Sequence, residues 1–387
     1  MAKLLWQRTK NMKVLITGSN GFMGLNLRLR LQERKDVEVV CFSRDQQVGE
    51  LPQLLKGVDF VFHLAGVNRP KDINEFVTGN TGFTRDVCRG VADVAHSTGK
   101  YIPILFASST QAAQDNPYGR SKRDAEAILA LASQEAPLVP VHIFRLPNVF
   151  GKWCKPNYNS VVATFCHNIS RNLPIQINDA NASVMLVYVD DVVEQFINIM
   201  DGGNPLLGTD GFASVQPQYA TTVGELAYLI QAFYDNRGSL LTERVGTGLA
   251  RALYATYVSY LSVEDFSYDI PQYVDKRGVF VEMLKTPDCG QFSFFSAHPG
   301  QTRGGHYHHS KTEKFLVIKG QGLFRFRHML SGQTHELKTS GDKPQIVDTV
   351  PGWTHDITNT GVEEMLVMLW ANEIFDRANP DTYNHPL

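Results

Sequence analysis

The sequence predicts an α/β fold joined to an all-β one. A doubly wound parallel sheet should occupy the N-terminal two thirds, and a barrel or sandwich of short strands the rest. Three observations carry that reading. A short apolar strand over residues 13–17 runs into Gly18-Ser19-Asn20-Gly21-Phe22-Met23-Gly24, then into a helix-like stretch with Leu25, Leu27, Leu29 and Leu31. From about residue 270 the pattern changes to short alternating segments between glycine turns. Eight of the 12 histidines fall after residue 290, far from the glycine turn, so two chemistries share one chain.

The length of 387 residues predicts two or three domains at roughly 150 residues each. The expected division is an N-terminal extension over 1–11, a parallel-sheet domain over 12–262 and a barrel over 263–387. The 37 basic and 39 acidic residues leave a net charge of −2, so no bulk basic field points to nucleic acid or a membrane surface. No apolar run approaches the ~18 residues of a membrane span. Lys3, Arg8 and Lys10 surround no apolar core of a secretory signal. Cys41, Cys88, Cys154, Cys166 and Cys289 are odd in number and scattered, which argues against a disulfide framework and for a reducing, cytoplasmic setting.

The first strand, glycine turn and helix lead to a second strand over 37–42 and a third over 58–65. That succession opens a doubly wound sheet. Gly18 suits the tight turn, Gly21 lets backbone approach a pyrophosphate, and Gly24 lets the helix pack closely on the strand. The helix N-terminus then offers unpaired N–H groups to phosphate. Past the second strand stands Phe42-Ser43-Arg44-Asp45. A guanidinium there suits a ribose 2′-phosphate, so NADP(H) is favoured; the alternative gives the ribose to Asp45 and leaves Arg44 on the surface. A further strand over 104–110 ends in Ser108-Ser109-Thr110. Tyr118-Gly119-Arg120-Ser121-Lys122 follows, with phenol and ammonium one helical turn apart. Lys122 is expected to lower the Tyr118 pKa so that the phenol exchanges a proton near neutrality.

These residues resemble the extended short-chain dehydrogenase/reductase family, built on the Rossmann sheet, from Met12 to about residue 260. The resemblance includes Phe62-His63-Leu64-Ala65-Gly66, Arg145-Leu146-Pro147-Asn148-Val149-Phe150-Gly151 and Tyr188-Val189-Asp190-Asp191-Val192. It implies a catalytic trio of Thr110, Tyr118 and Lys122, with Ser109 as the other hydroxyl. It also implies a cofactor site of Gly18, Gly21, Phe22, Met23, Gly24, Ser43, Arg44, Leu64, Ala65, Lys122 and Arg145. The usual substrate of such enzymes is a nucleoside-diphosphate sugar. Lys152, Lys155, Asn157 and Tyr158 either meet that diphosphate or form an ordinary exposed loop.

In the last third, strands are expected over 291–297, 314–319, 323–327, 345–350 and 365–370. Gly300 is followed after five residues by His306-Tyr307-His308, after four more by Glu313 and after six more by Gly320. His306 and His308 share one strand face. Glu313 opens the next strand, and His355 could return from across a barrel. Three imidazoles and a carboxylate suit zinc, manganese, iron or nickel; the alternative leaves them as core or surface residues without metal. These segments resemble the two cupin signatures, a jelly-roll β-barrel. The second signature is carried by Gly352, His355 and Asn359, with Pro351 one position nearer the glycine than usual. The resemblance implies a divalent metal, zinc first, on His306, His308, Glu313 and His355. His309 and Tyr307 lie outside that set as acid or base candidates.

The two parts together resemble the CapF family of bacterial capsule and O-antigen biosynthesis, in which a reductase is fused to a cupin. Thr110-Gln111-Ala112, Asn116-Pro117-Tyr118-Gly119, Asn157-Tyr158-Asn159-Ser160 and Arg303-Gly304-Gly305-His306-Tyr307-His308-His309 carry that closer likeness. It implies C3 epimerisation of a UDP-2-acetamido-2,6-dideoxy-4-keto-hexose by the cupin, then NADPH reduction of the C4 ketone to UDP-2-acetamido-2,6-dideoxy-L-talose, on the UDP-L-FucNAc route. A homodimer or higher homo-oligomer is expected. Two alternatives stay open. One is a reductase of another keto-sugar with a structural or oligomerising cupin; the other is a non-enzymatic NADP-binding regulator.

Overall fold

A computed structural model describes residues 11–387 apart from Ser310 and Asn379. The extension expected over 1–11 lies outside these residues except for Asn11. Contacts divide the chain into two units. One runs to Ala227 and resumes over Ala255–Tyr260; the other comprises Tyr228–Tyr254 and Leu261–Leu387. This division differs from a single cut at 262–263 in one main segment, 228–254. That segment is tied to the barrel because Thr242 N donates to Lys285 O and Lys285 N to Leu240 O, both at 2.8 Å.

The first unit begins with β1 (Met12–Thr17), α1 (Phe22–Gln32), β2 (Val37–Phe42), β3 (Phe60–His63), α2 (Phe83–Thr98), β4 (Ile104–Ser109), α3 (Pro117–Glu135) and β5 (Val141–Leu146). The five strands are parallel in the order β2-β1-β3-β4-β5, as the α/β pattern predicts. Short strands follow: β6 (Asn148–Phe150), β7 (Ser183–Tyr188), β8 (Leu206–Leu207), β9 (Ala213–Ser214) and β10 (Gln218–Thr222). Helices α4 (Val161–Ile169) and α5 (Val189–Met200) lie among them. β9 and β8 extend the large sheet, while β10-β7-β6 forms a separate three-stranded one. One face of the large sheet packs Leu15, Val61, Ile104 and Phe106 against Val87 and Val91 of α2 and Leu129 of α3. Each such buried aliphatic or aromatic side chain contributes about 1.5–3 kcal/mol. The chain leaves β1 toward opposite sides of the sheet, to β2 and then β3. That switch point opens a crevice at the carboxyl ends of the strands.

The second unit holds two antiparallel sheets. Their strands are β11 (Gln272–Asp275), β12 (Gly278–Thr286), β13 (Gly290–Ala297), β14 (Thr302–Tyr307), β15 (Glu313–Lys319), β16 (Gln321–His328), β17 (Thr334–Ser340), β18 (Ile346–Asp348), β19 (Trp353–Asn359), β20 (Met365–Ala371) and β21 (Tyr383–Asn384). The orders are β11-β12-β13-β20-β15-β18 and β17-β16-β19-β14-β21. Inward residues of both sheets meet: Phe295, Phe315 and Val367 from one, Phe324 and Ile357 from the other. The rings of Phe315 and Phe324 stand 5.7 Å apart. Among the described residues no helix is long and apolar enough to cross a membrane. All five cysteines are free thiols, as their spacing predicts.

Candidate functional site

In the first unit, a cavity of about 700 Å³ opens at the carboxyl ends of β1, β3, β4 and β5. The glycine turn forms one wall. A Cβ at Gly24 would stand 2.2 Å from the Gly18 carbonyl oxygen, so the close seat of α1 on that turn requires glycine. Such a bare turn before a helix N-terminus fits a dinucleotide pyrophosphate.

The start of α3 is set locally. Asn116 caps it by accepting from Gly119 N at 2.7 Å, and Pro117 takes the first helical position. Tyr118 therefore sits in the first turn, and Lys122 follows one turn deeper. Burial pushes the Tyr118 phenol up to about 12, partly offset by its hydrogen bond with the Ser109 side chain. Burial lowers Lys122 to about 8, opposed by the nearby Glu126 carboxylate. Its ammonium donates to Ala107 O at 2.9 Å and lies 4.7 Å from the Phe106 ring centre. The expected lowering of Tyr118 by Lys122 is thus not what the structure shows. Desolvation dominates, and the phenol keeps its proton at neutral pH. A protonated phenol hydrogen-bonded to a serine is equipped to donate a proton.

The structure brings Gly18, Gly21, Phe22, Met23, Gly24, Leu64, Thr110, Tyr118 and Lys122 to this one cavity, with Ser109, Asn148, Lys155 and Tyr158. Thr110 is exposed at the start of a short helical turn, while Ser109 is the hydroxyl that meets the phenol. Ala65 adjoins the cavity through Leu64, its N–H donating to Thr17 Oγ1 at 3.3 Å. Ser43 and Arg44 follow β2 outside the lining, and Arg44 is exposed. Arg145 is also outside. It forks onto the buried Glu126 at 2.7 and 3.1 Å, reaches Asp210 at 3.3 Å and covers the Phe212 ring. Glu126 in turn accepts from Ser108 Oγ at 2.5 Å. Glu126 was not foreseen as part of the site. Its only sequence signal is its place one turn beyond Lys122 on the face that begins with Tyr118. His63 is fully buried between Thr17 Oγ1 (2.7 Å) and Thr84 Oγ1 (2.9 Å). Burial and the Lys122 charge lower it to about 3, so it is neutral.

In the second unit, ligand atoms of His306, His308, Glu313 and His355 all lie within 4.8 Å of one another. The placement of His355 differs from expectation. It stands on β19 in register with His306 on the adjacent strand β14, in the same sheet. Glu313 is the residue that comes from the facing sheet, at the start of β15. Strand pairing rather than barrel crossing sets the three imidazoles together, because the closure of the sheets brings β15 opposite.

The donor set fits a divalent cation. His308 Nδ1 donates to Asp381 O at 2.5 Å, which turns its Nε2 toward Glu313 Oε2 at 3.1 Å. A backbone carbonyl on the far nitrogen is the usual support of a metal-binding histidine. Both ring nitrogens of His355 are buried without a hydrogen-bond partner, although Nε2 lies 3.5 Å from Glu313 Oε2. A cation shared by these groups would satisfy them. Burial and the neighbouring His355 lower His306 to about 4, keeping it in the neutral form that ligates. Burial alone would raise Glu313, but His308, His355 and Lys311 hold its carboxyl well below the usual range. Lys311 Nζ lies 3.1 Å from the other oxygen.

Asn359 of the second signature is structural. Its amide donates to Ala297 O and Glu363 O, both at 2.8 Å. Tyr307 stacks on Tyr383, and His309 is exposed beside it; neither lines the barrel interior. Asp381, which no pattern marked, also accepts from His309 N and Lys311 N.

Residues 14–205 match the family described as NAD dependent epimerase/dehydratase, and residues 273–383 match the polysaccharide biosynthesis C-terminal domain. The chain is 59% identical over 372 residues to the UDP-2-acetamido-2,6-beta-L-arabino-hexul-4-ose reductase of Pseudomonas aeruginosa, covering 96% of this chain and 98% of that protein. It is 42% identical to the capsular polysaccharide assembling protein CapF from Staphylococcus aureus, with a TM-score of 0.88 over 97% of this chain and 100% of that one. The Bordetella bronchiseptica enzyme WbmF, solved in complex with NAD+ and UDP, is 17% identical with a TM-score of 0.52. It covers 65% of this chain and 92% of that one, a likeness of fold alone. With likeness to the first two running almost end to end, the chain belongs to the CapF family, a nicotinamide-dinucleotide-type unit joined to a polysaccharide biosynthesis C-terminal domain.

Proposed function

We propose that this protein is a bifunctional sugar-nucleotide enzyme of capsule or O-antigen synthesis. Its barrel moves the C3 proton of a UDP-2-acetamido-2,6-dideoxy-4-keto-hexose, and its parallel-sheet unit reduces the C4 ketone to UDP-2-acetamido-2,6-dideoxy-L-talose. The observation that carries the reductase half is the meeting of Tyr118, Ser109 and the buried Lys122 in one cavity walled by the glycine turn. The name of the 59%-identical relative supports the substrate class.

Bound NADPH would supply the hydride. Tyr118 gives its proton to the C4 oxygen as the alcohol forms, and Ser109, with Thr110 beside it in the cavity, orients the ketone. Lys122 would hold the ribose of the bound dinucleotide and carry positive charge near the phenol, and the Arg145–Glu126–Ser108 chain fixes the strand end that carries Ser109. Arg44, exposed just past β2, is placed by its sequence position for a 2′-phosphate.

The C3 hydrogen is acidic because it lies α to the ketone. A divalent cation on His306, His308, Glu313 and His355, zinc first, would supply Lewis acidity near the developing oxyanion. The half-buried His306, lowered in pKa, and the pinned His308 are held in ligating form.

The test is one reaction in D2O followed by NMR, with the UDP-4-keto sugar first without and then with NADPH. The expected result is deuterium at C3 before NADPH and a C4 alcohol after it. Reduction without prior exchange would leave the barrel a structural role. Absence of reduction with NADPH and with NADH alike would overturn the reductase assignment.

A further inference from the structure

The barrel cavity beside the metal-type cluster is small, about 150 Å³. Pockets that enclose a drug-sized ligand are roughly 300–1,000 Å³, so this one admits a sugar ring and not a whole sugar nucleotide. A groove of about 990 Å³ also lies in the second unit, and Arg277 and Arg303 line both spaces. The groove's ionised side chains are Arg277, Lys285, Arg303 and Arg377 against only Asp275 and Glu282.

Arg303 reaches the inner cavity through a break in strand alternation. On β14, Arg303 pairs with Ile357 and Gly304 with Asp356, but His306 pairs with His355, leaving Gly305 extra. Gly304 and Gly305 adopt φ of +98° and +82°, and a Cβ at Gly304 would stand 2.9 Å from His355 O. In an unbroken strand Arg303 and His306 would point to opposite faces; one inserted residue puts them on the same face. The half-buried guanidinium donates to Ser296 O (2.9 Å) and Val279 O (3.3 Å). Among the described residues no carboxylate lies within ion-pair distance of it. Asp275 instead forks onto Arg277. Burial and the adjacent Arg277 make Arg303 less basic, with the nearby Asp275 carboxylate offsetting part of that. Tyr273, Phe280 and Phe375 add aromatic surface to the same groove, with the first two rings 6.3 Å apart.

We propose that this groove is a second nucleotide site. Arg303, with Arg277 and Arg377, holds the pyrophosphate of a nucleoside diphosphate, the aromatic side chains receive its base, and the attached sugar enters the inner cavity toward His306. The planar guanidinium fork matches phosphate oxygens in pairs. The proposal deepens the C3-exchange reading and rests on it for the sugar, while the pyrophosphate site is testable without any turnover.

Equilibrium dialysis of UDP against the full-length, metal-loaded protein tests it. The expected result is two UDP per chain in the wild type and one in Arg303→Met, with metal content and unfolding midpoint unchanged. Arg303→Lys, which keeps the charge and loses the fork, should weaken that site by about tenfold, the size of a lost charge-assisted hydrogen bond. Should Arg303→Met fail to fold, exposed Arg377→Gln carries the test, with several-fold weaker binding at one site. Undiminished UDP binding in a folded Arg303→Met, or in Arg377→Gln where that stands in, would overturn the proposal. Loss of the second UDP site in a protein that shows no C3 exchange would instead keep the nucleotide site and remove the epimerase reading.

Discussion

The two sites are built in opposite ways. In the parallel-sheet unit, the working groups sit just past strand ends or on the first turns of a helix, and the backbone of a glycine turn forms a wall. In the barrel, three of the four clustered groups lie within strands or at a strand start, and the fourth, His308, immediately follows β14. Sequence neighbours therefore make the first site: Tyr118 and Lys122 are one turn apart on α3. Register and sheet closure make the second, where His306 meets His355 across a strand pair and Glu313 arrives from the other sheet. The first should lose function one group at a time. The second should lose its ion whenever any support is removed.

Tyr118→Phe should break the comparison most sharply. Removing the proton donor should slow ketone reduction by about 10²–10⁴-fold, read as NADPH consumption, while C3 deuterium exchange persists. Loss of both activities together would mean that the sites are not separate. His308→Ala should empty most of the metal from the purified protein, read by elemental analysis, and abolish exchange with reduction of a supplied ketone intact. Unchanged metal content would remove His308 from the ligand set. Next in size is removal of the chain after Pro380. Without the Asp381 carbonyl on His308 Nδ1, metal affinity should fall by about 10–100-fold, measured by chelator competition.

The smallest effect concerns pH. Lys122 has a folded pKa of about 8, below its unfolded value, so it is charged below that pH and neutral above it. Reduction should decline as pH rises through about 8. Glu126 raises the Lys122 pKa, so Glu126→Gln should move this limb to lower pH while His63, already neutral, does not contribute. A limb that stays in place in Glu126→Gln would disconnect Glu126 from Lys122.

What could be read in advance follows how local each feature is. Strand β2 spans Val37–Phe42 as the apolar run predicts. The dinucleotide turn, the Tyr118–Lys122 pairing and the four clustered residues of the barrel were all legible because residue type and spacing carry them. Other features were not legible. The resemblance places Arg145 at the cofactor, and only the structure shows it forked onto the buried Glu126, a contact that no spacing marks. The phenol was expected to be acidified by Lys122, yet burial raises it, because desolvation depends on what surrounds the group and not on its neighbour in sequence.

By itself, then, the order of residues determined the two fold classes, the glycine turn and which side chains gather at each cavity. Only the tertiary structure decided which hydroxyl meets the phenol, which sheet supplies Glu313 and which way Arg303 points. Periodicity reports a face of one element, whereas these outcomes depend on the register between strands, on a single extra residue at Gly305 and on the depth at which a charge is buried.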